Sequence, residues 1–311
     1  MKSRYNMVAK AIFHRTVRQF SVFWYGFGLI GNFLIMMYFL SINKGKFKKM
    51  TNYHFLVITM AILDSLVCLS KIILGCVEWS TGFYTLMGRF MDIYTSSIFA
   101  LVSIWVLVLI SFTRCQSIVT PFALQWNKRC YIRIILVMTC LTVLYHYSLT
   151  NLPENKHLYL YYNSCSLMFD GIIPQGLMFY YYRKTRIHII QTNTPHQNKK
   201  SKRKRQNALK ALKGLVFLNF MTILILKMFL YIMSIIRRLE TINSTDKEIM
   251  NHFFTFSNYT LSYSTNILNV VVYAKMMPKF RRFIFRRFFI ERYKTSIWRV
   301  NRLRKTETTA L

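Results

Sequence analysis

The residues with most chemistry to offer are ionisable groups embedded in long apolar runs. Asp64 and Lys71 share one such run, Lys227 sits in another, and Asp92 stands near the start of a third. Asn32, Ser103, Asn266 and Asn269 add uncharged polar groups in similar surroundings. Inside a membrane such groups are costly, so each needs a partner and each is a functional candidate. Asp64 cannot stay ionised against lipid. It must face a helix-bundle interior, where Asn32, Ser103 and Asn269 offer an amide, a hydroxyl and a second amide. A plainer role is helix-to-helix glue, worth ~0.6 kcal/mol per polar contact. That suffices for Asn32, but it does not call for a carboxylate at 64. Lys71 and Asp92 can pair near one membrane face, and Lys227 can snorkel or meet an anionic ligand group.

These positions need helices to hold them. The chain has 311 residues, 53% apolar and 17% charged, with a mean hydropathy of +0.26. Soluble proteins run at about 25% charged, and disordered chains lack this hydrophobicity. The net charge of +33 and pI near 10.2 therefore do not indicate a nucleic-acid-binding domain; the Lys and Arg sit outside a bilayer. A spanning helix needs ~20 mostly apolar residues. Seven stretches qualify, at 20–42, 54–76, 90–113, 131–150, 167–190, 212–236 and 253–276. The fold expected is an all-α membrane protein, a seven-transmembrane helix bundle, because backbone polar groups bared to lipid must be satisfied within each segment. Residues 1–19 precede the bundle, 20–276 form it, and 277–311 follow as a basic tail.

Lys and Arg near span ends set orientation. With the N-terminus outside, inside residues outnumber outside ones by about three to one. Residues 1–18 are basic without a small-residue cleavage site, so the first span is expected to remain as an anchor. Asn243-Ser244-Thr245 is a glycosylation acceptor pattern, and it falls in an outside loop. Such tripeptides also arise by chance. The run Lys199 to Arg205 (KKSKRKR) reads as a cytoplasmic segment drawn to anionic lipid, at ~1 kcal/mol per basic residue. It also offers a docking face for an acidic partner.

In order and spacing, these residues resemble the rhodopsin-like (class A) G-protein-coupled receptor family. The first span carries Gly31-Asn32, and the second carries Ala61-Ile62-Leu63-Asp64, similar to L-A-x-x-D. The third ends in Thr113-Arg114-Cys115, with Ile118, Pro121 and Phe122 following, similar to D-R-Y and I-x-x-P-F/L. Pro174 and Tyr182 have the family's spacing in the fifth. Asn269 to Tyr273 is similar to N-P-x-x-Y, and Phe280-Arg281 matches a short amphipathic eighth helix. The resemblance spans the whole membrane region. It implies a G-protein cleft lined by Arg114, Tyr182 and Tyr273. It also implies a sodium pocket at Asp64, Ser103 and Asn269, with no other cofactor. Read without the motif, Arg114 is a snorkelling anchor, and Tyr182 and Tyr273 are interfacial aromatics.

The departures identify a divergent member. Thr113 replaces the acid beside Arg114, so the usual local ion pair is missing. Val270 replaces the proline of the last span. The sixth span has no C-W-x-P, the fourth lacks its usual Trp, and Arg89 stands where a disulfide cysteine is expected. Of the six cysteines, Cys76 and Cys165 are those expected at the oxidising face. The family keeps half of a bridge in the loop of Cys165, and Cys76 is a candidate partner; two unpaired thiols are the alternative.

The family reading implies a plasma-membrane receptor, N-terminus outside, transducing an extracellular ligand to heterotrimeric G proteins. Ser96 stands where amine receptors carry an aspartate, and Tyr263 where opsins carry the retinal lysine. A neuropeptide is the expected ligand, on family prevalence. Trp79, Phe83, Tyr84, Tyr94 and Tyr259 near the mouth can contact a peptide or an apolar odorant, although Tyr and Trp also favour interfaces for no functional reason. Thr309-Ala310-Leu311 resembles a C-terminal PDZ-binding motif, three residues that also occur by coincidence. Enzyme chemistry is not expected. The seven histidines are scattered, and neither G-x-S-x-G nor H-E-x-x-H occurs. A transporter or channel is the main rival, but such chains usually show repeats and Gly/Pro-broken helices. This one has ten Gly, five Pro and no repeat. A signalling-inactive seven-helix remnant is the third reading, favoured by the missing sixth-span motif.

Overall fold

The computed structural model describes residues 2–46, 50–81, 97–120, 126–150, 164–165, 167–192, 270–271, 273–275 and 277–287, together with positions 209, 213–214, 217, 228 and 232. Among the described residues the regular structure is entirely helical. The elements are α1 (Lys2–Ile42), α2 (Asn52–Thr81), α3 (Ser97–Val119), α4 (Lys128–Thr150), a π-helical segment (Leu167–Ile172) leading into α5 (Ile173–Gln191), and a short α6 (Pro278–Phe285). Among the described residues, four helices are long and apolar enough to cross a membrane: Val22–Ile42, Asn52–Val77, Ser97–Val119 and Lys128–Ser148. The fifth expected span is helical, but Arg183, Lys184 and Arg186 dilute its second half. Most of the sixth and seventh expected spans lie outside the described residues. So do Asn269, Asn266, Asn243, Asp92, Lys227, Arg89, Ser96, Pro121, Phe122, Phe83, Tyr84, Tyr94, Tyr259, Tyr263, the run 199–205 and the last three residues.

Polarity is arranged as a bilayer requires. Large apolar side chains stand exposed at helical spacing, among them Phe23, Phe27, Ile30 and Phe33 on α1 and Ile62, Leu66, Leu69 and Ile73 on α2. Asn32, Asp64, Ser103, Ser111, Thr113 and Gln175 are buried. An apolar stripe this long on a water-facing surface would drive association; against lipid it costs nothing. Hydroxyls along the helices donate to the carbonyl one turn back, as Thr59 does to Phe55 (3.0 Å), Ser65 to Ala61 (2.7 Å) and Ser111 to Leu107 (3.1 Å). This satisfies them without water.

Helix ends follow from local chemistry. α1 stops where Lys44 takes a positive φ of 49° and Gly45 one of 68°. The Gly45 N–H donates to the Leu40 carbonyl (3.0 Å) and the Lys44 N–H to the Ser41 carbonyl (3.1 Å), a Schellman closure. Thr51 opens α2 by accepting the His54 N–H on its side-chain oxygen (3.3 Å). Before α5, Pro174 has no N–H and crowds the preceding turn, and the backbone there widens into the π segment. Exact register at the first span differs from expectation: α1 runs unbroken from Lys2, and its membrane-length window opens at Val22.

α3 is central. It packs against α2, α4 and α5, while α1 packs on α2 and touches α6. The core cluster joins Ile35 and Phe39 of α1, Leu56, Val57 and Met60 of α2, Val102, Val106 and Ile110 of α3, and Met178 of α5. Tyr131, Tyr273 and Phe280 complete it at the end bearing Lys44, Lys128 and Arg129, called the basic end below. There α6 turns one face inward: Phe280 and Phe283 pack edge-on against Tyr38, centroids 5.1 and 5.5 Å away. Lys279, Arg281, Arg282, Arg286 and Arg287 point outward. This is the layout of a helix lying at a membrane interface.

Candidate functional site

The buried polar residues fall into a central pair and a cluster at the basic end. In the middle, the Ser103 hydroxyl of α3 donates to Asp64 Oδ1 of α2 at 2.6 Å. Asp64 is 2% exposed and Ser103 5%, so the bond is sheltered from competing water. On α1, the Asn32 amide nitrogen donates to the Gly28 carbonyl (3.0 Å). Its carbonyl oxygen is buried and has no hydrogen-bond partner among the described residues. The Asp64 carboxylate and the Ser103 hydroxyl, in contact with each other, are oxygen donors of the kind a hard cation accepts.

At the basic end, Arg114 leaves α3 half-buried and meets Tyr53 at the start of α2. One guanidinium nitrogen donates to the Tyr53 hydroxyl, and the guanidinium carbon lies 4.4 Å from the ring centroid. Tyr53 is packed by Phe39 of α1 (6.2 Å), and Phe39 in turn meets Tyr273 (6.2 Å). Tyr273 is sealed from solvent behind Phe39, and its hydroxyl has no hydrogen-bond partner among the described residues. Tyr182 is half-buried against the core from α5, and its neighbour Tyr181 meets Phe112 of α3 (5.4 Å).

No protein-family model matches this chain, and no curated protein matches it. What the site can do is argued from its own geometry.

Thr113 stands where the resemblance expects an acid. Its one proton goes to the Leu109 carbonyl (2.8 Å), so it accepts from the buried Tyr131 hydroxyl of α4, 3.1 Å away. Trp126, ahead of α4, packs on both Phe112 (4.8 Å) and Tyr131 (5.8 Å), and its carbonyl accepts from Asn52 of α2 (2.7 Å). Position 113 thus ties α3 to α4 and leaves Arg114 to Tyr53. Sequence reading passed over Tyr53 and Tyr131. The signal was available: an arginine with no adjacent acid needs other acceptors, and tyrosines at neighbouring helix starts supply them. It also passed over Gln175, buried beside Pro174 with neither amide atom hydrogen-bonded among the described residues.

The hydroxyl pair makes an asymmetric prediction. Tyr131→Phe leaves the Thr113 proton on its carbonyl and is expected to cost about 1 kcal/mol. Thr113→Val leaves the Tyr131 donor buried without an acceptor and is expected to cost more, up to ~3 kcal/mol. Thermal unfolding of the detergent-solubilised single and double variants checks this. The double is expected to lose less than the sum of the singles.

All six cysteines, Cys76 and Cys165 among them, are unbridged in the structure. Cys76 is exposed near the end of α2, whose partners are α1 and α3. Cys165 is half-buried just before the π segment.

Proposed function

We propose that this protein is a divergent receptor of the rhodopsin-like G-protein-coupled type: a seven-helix bundle with α6 as its eighth helix, set in the plasma membrane with its N-terminus outside. On this reading it passes the presence of an extracellular ligand, a neuropeptide by family prevalence, to a heterotrimeric G protein. The observation that carries the reading is the pair of polar features held in one bundle, the sheltered Asp64–Ser103 bond in its middle and Arg114 engaged by Tyr53 at its basic end. Packing alone has no use for a carboxylate and a guanidinium in an apolar core. Two arrangements of such a bundle that differ by a few kcal/mol suffice for a switch. A ligand then shifts the balance by its difference in affinity for the two.

The residues divide the work. Ser103 orients the Asp64 carboxylate, and Asp64 holds a proton or a compensating charge at the middle of α2. Asp64 and Ser103, with Asn269, would hold a sodium ion, which would supply positive charge where lipid and apolar packing give none. Arg114 and Tyr273 change partners between the two arrangements, and the freed arginine enters the cleft beside Tyr182 to meet the G protein. The basic face of α6 keeps that end at an anionic lipid surface.

Two measurements test this. Purified chain reconstituted with heterotrimeric G protein is expected to accelerate guanine-nucleotide exchange without added ligand, because Arg114 lacks its usual acidic restraint. Ion flux through the vesicles without exchange would move the chain to the transporter or channel class; neither activity at full incorporation would leave the inactive remnant. For the cation, unfolding temperature is expected to be higher in sodium than in choline chloride, and Asp64→Asn is expected to remove the difference. Equal values in wild type would remove sodium from the account.

A further inference from the structure

Arg114 lacks the acid that the family resemblance leads one to expect beside it, yet it is not left loose. Its guanidinium is engaged twice by a single residue, through a hydrogen bond to the Tyr53 hydroxyl and by lying over the ring. Tyr53 is held in turn. Phe39 packs against it edge-on, and the adjoining His54 is fixed by Asn43, whose side-chain nitrogen lies 3.2 Å from the His54 ring nitrogen. Thr113 cannot serve Arg114 as an acceptor of comparable strength, since its oxygen is shared between Leu109 and Tyr131.

We propose that Tyr53 is the positioning residue that restrains Arg114 in the resting arrangement. It acts as a neutral clasp between α2 and α3 in place of an ion pair. This rests on the receptor reading for its signalling consequence, though not for the contact itself. Chemically the clasp differs from a carboxylate. A phenol carries no charge at neutral pH, so releasing Arg114 separates no ions and requires no proton. A hydrogen bond from a charged donor plus a cation–π contact is still specific, because Lys lacks the planar guanidinium that lies over the ring. Such a clasp opens more readily than a buried ion pair. Ligand-independent activity is its natural by-product.

Cys115, the next residue on α3, is buried and reports the clasp without any G protein. Its alkylation by N-ethylmaleimide is measured in membranes by mass spectrometry of the Cys115 peptide. Tyr53→Phe keeps the ring and removes the hydroxyl; it is expected to raise the alkylation rate about tenfold, the loss of one charge-assisted hydrogen bond. Tyr53→Leu, which also removes the ring, is expected to raise it further. Neither change is expected to add to the effect of Arg114→Ala. Unchanged Cys115 protection in Tyr53→Phe overturns the proposal. An increase that persists undiminished in the Arg114→Ala background also overturns it, since general loosening of α2 would behave that way. Basal nucleotide exchange is read on the same preparations, and Tyr53→Phe is expected to raise it several-fold, through Arg114 only. Arg114-dependent loss of Cys115 protection with no exchange from any variant would sink the receptor reading while keeping the clasp. Exchange that is present but indifferent to Tyr53 would sink the clasp while keeping the receptor.

Discussion

Arg114→Ala is expected to cut ligand-independent nucleotide exchange at undiminished surface expression, by roughly thirtyfold or more. Buried interface arginines often cost 2 kcal/mol or more on truncation, and each 1.36 kcal/mol is a factor of ten. Arg114 sits half-buried at the basic end of α3, held by Tyr53 and close to Tyr273. Truncation leaves the apolar contacts of α3 in place, because Val106, Leu107 and Ile110 carry the packing. The informative companion is Arg114→Lys. If the residue only anchors α3 at the membrane edge, lysine snorkels as well and exchange stays normal. If its planar fork matters, lysine fails almost as badly as alanine. Exchange rates for the three chains at matched density, with surface labelling as the expression control, separate the two accounts.

The second large effect is structural and independent of function. Gly31→Leu is expected to destabilise the bundle by about 3 kcal/mol, at the top of the usual range for overpacking. A Cβ at position 31 would lie 2.5 Å from Val270 Cγ2 and 2.7 Å from Cγ1, with Val270 Cβ at 3.1 Å. The β-branched Val270 cannot turn both methyls away, so α1 and the helical residues around 270 must separate. That movement would displace Asn32, the next residue, and strain the Tyr38–Phe280 contact further along α1. Val270→Ala is expected to restore much of the loss in combination with Gly31→Ala. Gly26→Ala serves as the control, because its Cβ would meet nothing within 4 Å. Gly75 is an intermediate case: a Cβ there meets chiefly one Val22 methyl at 2.4 Å, and a single rotamer change relieves much of it. Unfolding temperatures in detergent for these variants give the order directly. A Gly31→Leu chain as stable as wild type would mean that α1 does not approach residue 270 as described.

The amino-acid order alone was sufficient to place most of the helices. Helix positions were legible because each helix must satisfy its own backbone in lipid, so a run of ~20 apolar residues is already a structural statement. The membrane-length windows of α2 and α4 lie within a few residues of where the hydropathy placed them, while α3 as described runs 97–119 against an expected 90–113. The same physics made Asp64 stand out, since a carboxylate in an apolar run has to be explained. Its bond with Ser103, thirty-nine positions away, followed from chemistry: Ser103 is one of few hydroxyls deep in the third apolar run. The family resemblance placed Phe280 on a short amphipathic helix, and the structure buries it against Tyr38.

Other features were set by the packing of helices distant in sequence. Tyr53 looks like an interfacial aromatic at a helix start, and nothing local directs it to Arg114, sixty-one positions on. Thr113 reads as the loss of an ion pair; only the approach of α4 shows its oxygen committed to Tyr131. Gly31 and Val270 appear unrelated until two helices bring them within van der Waals contact. Hydropathy reports how a residue prefers lipid or protein and constrains each helix singly. Partner identity depends on the rotation and offset of one helix against another. Those are fixed collectively by close packing, to within a methyl group.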